Sequence, residues 1–150
     1  MATNIPTTES TKLKHNWRQG HVNVVLTDDT TLYVPLAQGM VPKTTLELFK
    51  FVTGATLAED IDVEIIKVAS GVAPGSITPG PTNRIIGATV IGADEDLGVV
   101  TSGDVTAVNE GVNVLAEGEY AWAVVTVPAA TLGADTNTLG IFWLERTWQD

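Results

Sequence analysis

Threonine and valine are the two residues that most restrict this chain: 21 Thr and 19 Val, interrupted at short intervals by 14 Gly and 7 Pro. Branching at Cβ narrows the side-chain rotamers and suits a pleated, half-buried surface better than a helix. Frequent Gly and Pro then cut the extended stretches short and turn the chain between them. The pattern predicts an all-β protein, an antiparallel β-sandwich, with strands over residues 22–26, 31–34, 46–53, 61–69, 84–91, 104–108, 112–115, 119–127 and 139–148. At 150 residues the chain is long enough for one such core.

Local signals refine this. Thr27-Asp28-Asp29-Thr30 lies between two strand candidates, where Asp side chains can bond to nearby backbone, so a hairpin is expected there. Thr44 with Glu47 and Thr56 with Glu59 have capping-box spacing, which keeps short helices over 44–50 or 56–60 as an alternative. Over 61–69 the β-branched run alternating with Asp62 and Glu64 favours a strand. The adjacent Ile65 and Ile66 break its alternation, which predicts a bulge or bend. Pro74-Gly75 and Pro79-Gly80-Pro81 predict an exposed loop over 71–81 at a sheet edge or tip.

The last third carries an unusual packing demand. Tyr120, Trp122 and Val124 share one face of a strand whose other face holds Ala121, Ala123, Val125 and Val127. Leu139, Ile141 and Trp143 likewise oppose Phe142 and Leu144. A strand with one solvated face would alternate apolar with polar residues, so both outer faces need a cover. With few credible helices, a second subunit is the natural one, and Tyr120, Trp122, Phe142 and Trp143 are the candidate interface residues of a homo-oligomer, a trimer for instance. Loops or the N-terminal segment could serve instead.

Charge divides the chain in two. Residues 1–20 hold Lys12, Lys14 and Arg18 against Glu9, a net +2 that leaves −12 for residues 21–150. The first segment is Thr-rich with few apolar residues, and reads as an extended arm ahead of a single sandwich domain over 21–150. Lys12, Lys14, Trp17 and Arg18 are its candidate partner-binding residues: an aromatic anchor with cations to meet acidic groups. An acidic body does not suit nucleic acid, which needs clustered Lys and Arg. No apolar run approaches the roughly 20 residues of a membrane-spanning helix, and the first ten residues lack the pattern of a secretory signal, so a soluble protein is expected.

Chemistry is sparse. Without cysteine there is no disulfide, thiolate metal site or cysteine nucleophile. His15 and His21 have no acid or serine at a telling spacing, and Ser10, Ser70, Ser76 and Ser102 sit in no nucleophile elbow. Asp94-Glu95-Asp96 could offer oxygen ligands to calcium, though without the remaining ligands of an EF-hand loop, and a solvated turn is the simpler reading. Glu117 and Glu119 could be imagined as a glycosidase pair, but two acids flanking one glycine are ordinarily neighbouring surface charges. Trp148 or Tyr33 could stack on sugar. No cofactor is called for, and a binding role is expected rather than an enzymatic one.

The Thr-rich start over 2–11, the acidic Thr- and Val-rich body and the segment Leu115-Ala116-Glu117-Gly118-Glu119-Tyr120-Ala121-Trp122 give the chain a style that resembles the capsid decoration, or cement, proteins of tailed bacteriophages. The resemblance extends along the whole chain and includes the Gly-x-Tyr approach to a strand found in jelly-roll modules. It implies a jelly-roll-like sandwich, a trimer on the capsid surface of the virion, and contact with the major capsid protein through the N-terminal arms. It also implies synthesis in the host cytoplasm. The alternative is a carbohydrate- or receptor-binding jelly roll such as a fibre head.

Overall fold

A computed structural model of the chain describes residues 15–39, 43–54, 57–91, 100–101, 111–132 and 137–148. They form β1 (His15–Val25), β2 (Thr30–Gln38), β3 (Lys43–Thr53), β4 (Ile61–Ala69), β5 (Arg84–Ile91), β6 (Val100–Thr101), β7 (Val114–Ala116), β8 (Glu119–Val127) and β9 (Thr138–Trp148). The strand expected over 104–108 lies outside the described residues. Among the described residues neither alternative helix forms: 43–53 is strand, and 57–60 is a bend between strands.

Two antiparallel sheets face each other. One runs β1-β9-β3-β6 with β7 also on β3, the other β2-β8-β4-β5. The pairings nest from the ends of the chain inward: β1 with β9, β2 with β8, β3 with β6 and β7, β4 with β5. A long antiparallel hairpin rolled up so that its nested strand pairs alternate between the two sheets produces this order, and it is the jelly-roll arrangement. We call the β1-containing layer the first sheet and the β2-containing layer the second.

This topology overturns the predicted β1–β2 hairpin, because the two strands belong to different sheets. Residues 26–29 cross one end of the sandwich instead. Leu26 N–H donates to Asn137 O at 2.9 Å, and Asp29, at φ 53°, donates its N–H to Pro128 O at 3.3 Å. The Asp28 carboxylate does not close a local turn: its Oδ1 accepts the Leu132 N–H at 2.9 Å, across 104 residues of chain. The backbone partner of the Asp28 side chain is thus tertiary, not local as the sequence suggested.

The core lies between the sheets. Phe49 and Phe51 of β3, Ile61, Val63 and Ile65 of β4, Ala121, Ala123 and Val125 of β8, and Leu139 and Ile141 of β9 are fully buried in it. Trp143 also points inward. It is 4% exposed, its indole lies against Gly20 of β1, and it packs 6.2 Å from Phe49 between ring centroids. As a core residue Trp143 is not available to a partner, so it drops out of the candidate interface.

The bulge expected at Ile65-Ile66 is not in β4, whose register with β8 runs unbroken from Asp62 to Ala69; the extra residues lie on β5. The β4–β5 register shifts on either side of Ile65, and both isoleucines are buried, on opposite faces. Ile66 and Val68 pair with Trp122 and Tyr120 on the outer face of the second sheet, outside the main core, yet are 0% and 1% exposed. Their cover comes from the same chain. The β4–β5 connection folds back over that face: a Cβ added at Gly75 would stand 3.4 Å from the Tyr33 ring on β2. Arg84 ties it down on the other side, bonding Glu64 and Pro79 O. The Pro-Gly loop, though surface-lying, is therefore packed on a sheet face rather than standing off an edge or tip. Tyr120 and Trp122 are left half-buried beside it.

Candidate binding face

The outer face of the first sheet is built differently. Its cross-strand rows follow from the register: Trp17, Arg146 and Thr45; Gln19, Leu144 and Glu47; His21, Phe142 and Lys50; Asn23, Gly140 and Val52. Gly111, Asn113 and Val114 border the end of these rows at Lys43, Thr45, Glu47 and Arg146, while the rows around Leu48, Phe142 and Leu144 are partly open. Trp17 is 53% exposed and Leu48 43%, and Phe142 and Leu144 are half-buried. Leu48, Lys50, Gln19, Phe142 and Leu144 surround a depression of about 260 Å³.

Local contacts hold the rows in place. His21 stacks on Phe142 at 4.3 Å between centroids and 11° between planes, with its Nε2 3.1 Å from Asn23 Oδ1. The Arg146 guanidinium sits 5.2 Å over the Trp17 ring and 3.3 Å from Glu47 Oε1. A cation over an indole is attracted by the ring's negative face, so Trp17 is anchored without being covered.

Leu48 is the outlier. It lies in a bulge, where the β3–β9 register shifts between Glu47 and Lys50, and has φ 55°. A left-handed backbone costs a side-chain-bearing residue roughly 1–2 kcal/mol, least for Asn or Asp and never favourable for leucine. Strain of this kind tends to collect at functional positions. The bulge re-aims leucine outward beside Phe142 and Leu144, while Leu46 before it and Phe49 after it both enter the core. The sequence holds a readable trace of this: apolar parity switches from even at Leu46 to odd at Phe49 and Phe51.

The proposed arm residues separate. Lys12 and Lys14 lie outside the described residues. Trp17 and Arg18 are both in β1, which begins at His15, so the sheet takes in six residues assigned by composition to the arm. Their side chains point to opposite faces. Trp17 is on the outer face, whereas Arg18, itself largely exposed, turns to the opposite face, its Nε and Nη2 donating to the buried Glu145 Oε2 at 3.1 and 2.6 Å. Glu145 Oε1 accepts the Trp143 indole N–H at 2.9 Å. The Arg18 charge is thus used internally.

Glu119 Oε1 accepts the Ala116 N–H at 2.8 Å across a turn with Gly118 at φ 85°, and its Oε2 lies 3.9 Å from Lys67 Nζ. Glu119 is therefore engaged with its own turn and with Lys67, while Glu117 is exposed to solvent. Asp94, Glu95 and Asp96 lie outside the described residues, and among the described residues no three His, Asp or Glu side chains gather as metal ligands. The chain matches no family model and no curated protein.

Proposed function

We propose that this protein is a structural virion component that seats on the outer surface of a phage capsid as an oligomer, a trimer, and stabilises the shell by contact with the major capsid protein. It works by binding rather than catalysis. The observation that carries this reading is the outer face of the first sheet: Trp17, Leu48, Phe142 and Leu144 set among Lys43, Lys50 and Arg146, on a chain whose overall charge is −10. A contiguous aromatic and apolar surface rimmed by cations is suited to a protein partner with acidic groups. Lys12 and Lys14 lead in sequence directly into β1 and extend the same charge.

Co-sedimentation with empty, expanded phage capsids tests the proposal. Binding that weakens on Trp17→Ala and on deletion of residues 2–14 is expected, and failure to bind at any ionic strength refutes it. The deletion has to stop short of β1, since removing 15–20 would also take away the Arg18 contact to Glu145. One observation favours the carbohydrate-binding alternative: Tyr33, 43% exposed, beside Gly75 on the second sheet. Glycan binding abolished by Tyr33→Ala would establish that reading in place of the first.

A further inference from the structure

The outer face of the first sheet has a counterpart on the same molecule. Its cross-strand rows carry Lys43, Lys50 and Arg146 against the single acid Glu47, a net +2, so the rest of the chain carries −12. Much of the described negative charge gathers at one end of the sandwich, where the connections 26–29, 57–60 and 128–132 meet. Asp29 N–H bonds Pro128 O, Ala58 N–H bonds Thr131 O and Leu132 N–H bonds the Asp28 carboxylate. These connections bring Asp28, Asp29, Glu59 and Asp60 together, with Asp62 opening β4 alongside, and contain no Lys or Arg. Along β1 the face runs from Trp17 and its neighbour Arg146 near the start to Lys50 and Phe142 level with His21, and the acidic connections lie just beyond Val25.

We propose that the outer face of the first sheet docks a second copy of this chain, receiving that copy's acidic end. The contact is heterologous, head to tail. Charge decides the arrangement: two first-sheet faces brought together would set Lys50 and Lys43 against their own kind, whereas the face of one copy against the acidic end of the next pairs opposite signs. The strained, outward Leu48 with Phe142, Leu144 and Trp17 supplies the apolar centre, and Lys43 and Lys50 the rim. Heterologous contacts generate a ring when the rotation closes and a filament when it does not. This specifies the self-association within the function proposed above, and it is tested without capsids, so either can fail while the other stands.

The test uses the full chain and two folded variants. Leu48→Asn with Lys50→Glu disables the face at a position where asparagine fits the backbone better than leucine. Asp29→Asn with Glu59→Lys weakens the acidic end at exposed positions, asparagine suiting the left-handed backbone of Asp29, and circular dichroism verifies both folds. In sedimentation velocity through the micromolar range the unaltered chain is expected as a multimer that dissociates as salt rises. Each variant alone is expected as a monomer. Mixed one to one, they retain a single good contact between them, the acidic end of the first on the face of the second, and give a two-chain species that grows no further. A monomeric unaltered chain, variants that still associate, as pairing through the open edge of β1 would allow, or a mixture that stays monomeric would each overturn the proposal.

Discussion

Replacing Gly20 by alanine sets local preference against tertiary packing. Gly20 lies in the middle of β1, where glycine weakens a strand by roughly 0.5–1 kcal/mol relative to alanine, so propensity alone predicts a gain in stability. The structure predicts the reverse. A Cβ at this position would overlap Cε2, Nε1 and Cζ2 of Trp143, at separations far below the 3.0 Å that real Cβ atoms respect. Carbon atoms rest at roughly 3.5–4.0 Å, so the indole would have to retreat by about 1.5 Å. It has little room, being packed on Phe49, and any such shift takes its N–H away from Glu145 Oε1, now at 2.9 Å. Overpacking costs about 1–3 kcal/mol and a lost hydrogen bond to a charged group about 1.5–3 kcal/mol, which together exceed the propensity gain. We expect Gly20→Ala to destabilise the fold by about 3 kcal/mol, a fall in Tm of roughly 6–12 °C for a chain of this size. Urea unfolding followed by circular dichroism measures it. In a double-mutant cycle with Trp143→Phe, the alanine should cost much less on the phenylalanine background. A Tm equal to or above that of the parent would refute the reasoning.

Other outcomes follow from the same structure. Glu145→Ala leaves the buried Trp143 N–H without an acceptor and should cost about 1–3 kcal/mol in denaturant unfolding, whereas Glu145→Gln, which keeps an acceptor, should cost less. Ile66→Ala should cost about 2–5 kcal/mol although Ile66 faces away from the main core, because the β4–β5 connection seals it in; a loss below about 0.5 kcal/mol would mean that face is open. Leu48→Asn should leave the unfolding free energy unchanged or raise it by up to about 1 kcal/mol through relief of left-handed strain, and a clear loss would show that leucine is there for stability.

Several of these side chains were legible as parts of strands but not as parts of a site. Alternation places Trp17 and Arg18 on opposite faces as soon as β1 is known to start at His15, but a polar, Thr-rich beginning gives no sign of that start; pairing with β9 decides it. Trp143 and Phe142 are adjacent apolar residues on one strand, and sequence alone cannot say which of them faces the core. Gly20 settles it, because only a residue without a Cβ leaves room for the indole beneath β1. Leu48 was hidden by a bulge that a two-residue alternation does not anticipate, although the parity switch from Leu46 to Phe49 records it.

By itself, the sequence determined the fold class and nearly all of the strands, because Cβ branching and period-two alternation act within a few residues and need no partner. It also determined that two strands would be apolar on both faces and that the chain is acidic. Tertiary structure decided which strands pair, turning an expected hairpin into a crossing between sheets. It decided too that the chain covers one of the two apolar outer faces with its own Pro-Gly connection while leaving the other, among the described residues, partly open. Both outcomes depend on contacts between residues distant along the chain, where loop closure and packing, rather than local preference, set the free energy.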